Sequence, residues 1–169
     1  MKKIAVIGPN QALCPSALYD LGVELGERIA ARDRVIICGG LGGFMEAVCK
    51  GVKQSSHTFS GQTIGILPGD RAQDANPYID VAIPTGMGIA RNIIIINSAD
   101  IIIAAGGGSG TLSELAFAWQ KGKTVLCITQ FGGWSQELAG KNLDSREGGQ
   151  LIPVASLAEI ERIITNFDV

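Results

Sequence analysis

A doubly wound α/β domain, with a mostly parallel sheet and helices on both of its faces, is the fold class that three features of this sequence predict. Short runs rich in β-branched residues alternate with stretches whose apolar residues recur at helical spacing. Several of the runs lead directly into glycine-rich turns. Apolar residues make up 46% of the 169-residue chain and charged residues only 18%, a balance that suits a sheet buried on both faces. That length is close to the usual size of one domain, so the expectation is a single domain over residues 1–169.

The elements follow in order. Ile4 to Ile7 is a strand ended by Gly8-Pro9, and Leu18, Leu21, Leu25 and Ile29 stripe the helix after it. Val35 to Cys38 is the second strand; Gly39-Gly40-Leu41-Gly42-Gly43 follows, then a helix with Phe44, Ala47, Val48 and Val52 on one face. Ile64 to Leu67 is a third strand. A polar loop then leads to a short strand at Asp80 to Ile83 and a helix from Met87 to Asn97. Ile101 to Ala104 runs into Gly106-Gly107-Gly108-Ser109-Gly110-Thr111, and the next helix places Leu115, Ala118 and Trp119 inward. Thr124 to Ile128 is a strand, 131–134 (Phe-Gly-Gly-Trp) a loop, Leu151 to Val154 a last strand, and Leu157, Ile160, Ile163 and Ile164 mark a closing helix. Single helices between strands imply right-handed crossovers, which place the loops after the strands along one sheet edge, where ligands bind.

Composition excludes several functions. The net charge is −2 and no cluster of five basic residues occurs, so neither nucleic acid nor a membrane surface is an expected partner. No run approaches the ~18 apolar residues of a membrane span, and the apolar start stops at Gly8-Pro9 without a cleavage site, which points to the cytoplasm. Cys14, Cys38, Cys49 and Cys127 have no C-x-x-C spacing and only His57 to assist them, so reduced thiols and no metal site are expected.

The strongest chemical signal is Gly106 to Glu114, directly after a strand and opening a helix. Glycines permit positive φ and close approach, so successive N–H groups can point into one concavity at a helix N-terminus, a cradle for an anion. Alternatively, Thr111 is an N-cap and Glu114 its capping-box partner. Four glycines in five positions exceed what a cap needs. Glu114 has two open roles: facing a ligand, it can act as a base or nucleophile; turned to the backbone, it only caps. The turn from Gly39 to Gly43 repeats the logic as a second binding wall, or else is a tight turn. Neither turn gives a convincing dinucleotide fingerprint, and no acidic residue is placed for a ribose diol, so NAD and FAD are not expected. Arg91 can reach a phosphate bidentately, although spacing alone makes it an exposed helix-face arginine. Gly22 and Gly26 fit close packing of a helix on the sheet, His57 a solvated loop, and Trp134 either a rim aromatic or a core anchor.

Gly106 to Glu114 resembles the P-G-G-x-G-T-x-x-E motif of the lonely-guy proteins, the Rossmann-like group that has carried the label lysine decarboxylase, and Arg91 falls where those proteins carry an arginine. The resemblance spans nearly the whole chain. In the family's enzymes it implies hydrolysis of the N-glycosidic bond of a nucleoside 5′-monophosphate, with Glu114 and Arg91 as catalytic residues. Asn92 stands where those enzymes have lysine, and Gly106 where the motif begins with proline. With the triple glycine and the 131–134 loop, these departures resemble a sister branch that includes the molybdenum cofactor carrier proteins, homo-oligomers that bind their pterin without transforming it. No pyridoxal-binding lysine context accompanies the decarboxylase label.

The expectation is therefore a carrier rather than an enzyme, a dimer or tetramer whose ligand is the molybdenum cofactor. Its ligand-binding residues would be Gly8, Gly39, Gly40, Gly42, Gly43, Arg91, Asn92, Gly106, Gly107, Gly108, Ser109, Gly110, Thr111 and Glu114. The alternatives are a phosphoribohydrolase and a sensor of a nucleotide-derived signal, both using the same pocket.

Overall fold

A computed structural model describes residues 1–145 and 147–168. Seven strands, β1 (Lys2–Ile7), β2 (Arg34–Cys38), β3 (Thr63–Leu67), β4 (Val81–Pro84), β5 (Ile101–Ala105), β6 (Thr124–Ile128) and β7 (Gln150–Val154), form one sheet. Their order is β4-β3-β2-β1-β5-β6-β7, and every neighbouring pair is parallel. The helices are α1 (Ser16–Ile29), α2 (Phe44–Gln54), α3 (Asn92–Ser98), α4 (Ser109–Gln120), α5 (Gly133–Leu138) and α6 (Leu157–Asn166).

Alternation along the central strands divides the core in two. Ile4, Val6, Ile36, Cys38, Ile101 and Ile103 join the cluster that contains Leu25, Phe44, Val48 and Ile160, from α1, α2 and α6. Ala5, Ile7, Ile37, Ile102 and Ala104 join the cluster that contains Ile95, Ile96, Leu115 and Trp119, from α3 and α4. Both faces of β1 and β5 are thus covered, which is why their sequences read as unbroken apolar runs. Gly22 and Gly26 correct one expectation: they bring α1 against α2 rather than against the sheet. A Cβ on Gly22 would lie 2.8 Å from the Cβ of Ala47, and one on Gly26 would collide with the carbonyl oxygen of Val48.

Three local departures have clear causes. The expected helix from Met87 begins as a 3₁₀ turn, Gly88–Arg91, entered through Gly88 at φ +54°, outside the range of any right-handed helix; the α-helix starts at Asn92. The strand expected at Asp80 is Val81–Pro84, since the Asp80 carboxylate accepts from the Thr63 amide and hydroxyl instead. The 131–134 loop contains the start of α5. Its first residues dock on the preceding turn, with the amides of Trp134 and Ser135 donating to the carbonyls of Gly107 and Gly106 at 3.2 and 3.0 Å. The Ser135 hydroxyl adds contacts to the carbonyls of Ala104 and Ile128.

From β1 the chain proceeds outward through β2, β3 and β4, then returns to β5 on the other side of β1. Strand order therefore reverses between β1 and β5, and a crevice opens beyond their carboxyl ends, at Gly8 and at Gly106. No described helix is long and apolar enough to cross a membrane.

Candidate functional site

A cleft of about 340 Å³ occupies that crevice. Gly8, Pro9, Asn10 and Leu13 line it after β1, and Leu41 and Met45 line it after β2. Pro68, Gly88, Ile89, Arg91 and Asn92 come from the segment between β3 and α3, and Gly108, Ser109, Gly110, Thr111 and Glu114 from the start of α4. The volume lies at the lower end of small-molecule sites, roughly 300–1,000 Å³.

The glycines of the β5–α4 turn serve two different ends. Gly106 and Gly107 have φ of +51° and +90°, and a side chain on Gly107 would run into Thr111, so the turn itself requires both. Gly108 (φ −100°) and Gly110 have no such requirement. A Cβ on Gly110 would meet nothing within 4 Å, and one on Gly108 only Leu13, at 3.8 Å. Glycine near a helix start costs up to about 1 kcal/mol relative to alanine. Both bare positions face the cleft, beside first-turn amides that have no acceptor inside the helix.

The capping alternative for this turn does not hold. The N-cap of α4 is Gly108, with no side-chain cap hydrogen bond; Thr111 lies inside the helix and Glu114 a turn further along. A capping pair does occur at α6, where Ser156 accepts from the Glu159 amide and the Glu159 carboxylate accepts from the Ala155 amide.

Glu114 instead lines the cleft with Arg91, and both are buried, at 6% and 9% exposure. Arg91 is therefore not the exposed helix-face residue that its spacing suggested. Its Nη1 lies 3.8 Å from Oε1 of Glu114, an ionic contact too long for a hydrogen bond. Burial pushes the Glu114 carboxyl up to about 7, against the opposing pull of the guanidinium. Burial also lowers the pKa of Arg91. Among the described residues they are the only charged ones lining the cleft.

Asn92 joins the two sides. Its Nδ2 donates to Ser113 Oγ at 3.0 Å and to the Gly110 carbonyl at 3.4 Å, and the Ser113 hydroxyl donates to that same carbonyl at 2.7 Å. The amino end of α3 is thus tied to the first turn of α4. Asn92 Oδ1 and Arg91 Nε are buried without a hydrogen-bond partner among the described residues.

The β2–α2 turn faces the cleft through Leu41, while Gly39, Gly40, Gly42 and Gly43 are not among the lining residues. Gly43 has φ +82° and packs on the backbone of Pro9 and Asn10. Gly40, at φ +73°, packs on Leu67 and Gly65. Gly106 and Gly107 present their carbonyls to α5. His57 is exposed, and Trp134, 37% exposed, is neither a core anchor nor part of the cleft lining. Sequence reasoning missed Pro9, Asn10, Leu13, Leu41, Met45, Pro68, Gly88 and Ile89. Strand order would have pointed to the first three, which follow the strand beside the reversal.

Comparison with known proteins agrees with this architecture. The model of the SLOG cluster4 family matches residues 1–161. An uncharacterized protein of Archaeoglobus fulgidus is 44% identical over 76% of this chain and 80% of its own length. A cytokinin riboside 5′-monophosphate phosphoribohydrolase of Mycobacterium marinum is 27% identical over 76% of this chain and 75% of its own. Among solved structures, the molybdenum cofactor binding protein of Rippkaea orientalis superposes with a TM-score of 0.80 at 34% identity, covering 97% of this chain and 95% of that one. The molybdenum cofactor carrier protein of Chlamydomonas reinhardtii gives 0.80 at 28% identity, covering 98% and 97%. With a Rossmann-like sheet, a glycine turn at its switch point and these neighbours, the chain belongs to the SLOG cluster4 family, within the lonely-guy-like superfamily and near its molybdenum cofactor carrier branch.

Proposed function

We propose that the cleft binds a phosphate-bearing small molecule and passes it on unchanged, with the molybdenum cofactor as its cargo. The observation that carries this reading is the bareness of Gly108 and Gly110: the fold does not require glycine at either position, and both face the cleft beside unpaired amides. A phosphate fits that turn, and Leu13, Leu41, Met45 and Ile89 supply an apolar surround for an organic ring. Among the described residues, the one cation lining the cleft is already in contact with Glu114, so the charge of the ligand is met mainly by backbone dipoles. The solved neighbours named for molybdenum cofactor binding and carriage support this cargo. A homo-oligomer in the cytoplasm belongs to the same proposal, and sedimentation equilibrium checks its subunit count.

One observation favours a second reading. A buried carboxyl near pKa 7 beside an arginine is suited to proton transfer at neutral pH, as a phosphoribohydrolase would need. Incubating purified protein with AMP and measuring free adenine by chromatography separates the two. The carrier reading expects no adenine, together with pterin fluorescence in protein purified from a cofactor-producing host. Adenine release that Glu114→Ala abolishes would overturn it in favour of the hydrolase.

A further inference from the structure

Gly39 directly follows β2 and does not line the cleft, yet it too lacks a side chain. Its φ lies outside the left-handed region, so its backbone alone would accept any residue. The space beside it is occupied. A Cβ built there would collide with Nη2 of Arg91 and lie 3.1 Å from its Cζ and 2.9 Å from Sδ of Met45. Among the described residues Arg91 has little else to hold it: Nε has no hydrogen-bond partner, and Nη1 makes only the 3.8 Å contact with Glu114. A buried guanidinium with so few directional contacts is placed by the shape of its surroundings.

We propose that Gly39 is a positioning residue, whose missing side chain is the seat that holds the Arg91 guanidinium against Glu114 in the cleft. The glycines of the turn after β2 then shape the site without lining the cleft. They place the cation, and the β5–α4 turn presents the amides. The seat bears on binding only if the cleft is the ligand site proposed above, but its geometry can be tested without any ligand.

The test is a double-mutant cycle on the ligand-free protein, using Gly39→Ala and Arg91→Met singly and together. The first readout is the titration midpoint of the Glu114 carboxyl, followed by carbon-13 NMR. An opposite charge within ~4–6 Å moves a carboxyl by about 1–3 pH units, so displacing the guanidinium should shift the midpoint by about half a unit or more. In the Arg91→Met background, Gly39→Ala should leave it in place. The second readout is Tm. Gly39→Ala should lower it with Arg91 present and by much less with Arg91→Met, because the shorter, uncharged side chain frees the space. An unchanged midpoint, or equal shifts and equal losses in both backgrounds, overturns the proposal. Should Gly39→Ala alone fail to fold while the double variant folds, that rescue supports it; failure of both overturns it. Because no ligand enters the experiment, a wrong assignment of cargo leaves this result standing.

Discussion

The turns after β2 and after β5 look alike in sequence, each with four glycines in five positions, yet they use them differently. In the first, Gly39, Gly40 and Gly43 each adjoin something a side chain would strike: the Arg91 guanidinium, Leu67, and the Pro9–Asn10 backbone. In the second, Gly106 and Gly107 shape the turn while Gly108 and Gly110 adjoin almost nothing. Glycine density alone therefore does not mark a binding loop. What a Cβ would meet at each position separates a packed turn from an open one.

The largest effect should come from the packed turn. Gly43→Ala combines φ +82° with contacts of 2.5 to 2.7 Å to the backbone of Asn10, Pro9 and Gln11, and should cost about 2–4 kcal/mol in chemical denaturation. A loss under 1 kcal/mol would erase the contrast between the turns.

The two turns meet at the Arg91–Glu114 pair, which predicts a pH effect. The folded-state pKa of Glu114, about 7, lies above its ordinary 4.5, so the folded protein binds this proton more tightly than the unfolded chain. Stability should fall as pH rises from about 4.5 through about 7, by as much as about 3 kcal/mol. Glu114→Gln should flatten that part of the profile measured by urea unfolding. A wild-type profile that rises across this window would contradict the buried, weakly compensated carboxyl.

The bare turn should give the smallest stability change and the clearest loss of binding. Gly110→Ala should stabilise the protein by about 0.5–1 kcal/mol through helix propensity and a less flexible unfolded chain. It should also weaken AMP binding, measured calorimetrically, by tenfold or more. Ser109→Asp sharpens this opposition. Its carboxylate should favour the helix by about 0.3–1 kcal/mol while repelling a phosphate from the same amides. Unchanged AMP affinity in both variants would remove the turn from the site.

Much of this was legible in the chain. The apolar runs at Ile4 and Ile101 marked strands, unbroken because both sheet faces are covered, and Gly106 to Glu114 marked a turn from strand into helix at the carboxyl edge of the sheet. Other features depend on tertiary contacts. The buried Arg91 guanidinium packs beside Gly39, more than fifty positions earlier, and no helical periodicity carries that information. Helix α5 has six residues and is fixed by carbonyls of the preceding turn, so it leaves no amphipathic pattern. The Thr-x-x-Glu spacing at Thr111 left a cap open as an alternative, while a capping pair forms at Ser156 and Glu159, a distinction set by where each helix begins.

The docking of α5 has a directional consequence. In a trans peptide unit the C=O and N–H vectors are antiparallel. Because the carbonyls of Gly106 and Gly107 are turned toward Ser135 and Trp134, the N–H bonds of Gly107 and Gly108 in those same units must point the opposite way. A short helix behind the turn thus fixes, during folding, the polarity of two peptide planes at the end of β5.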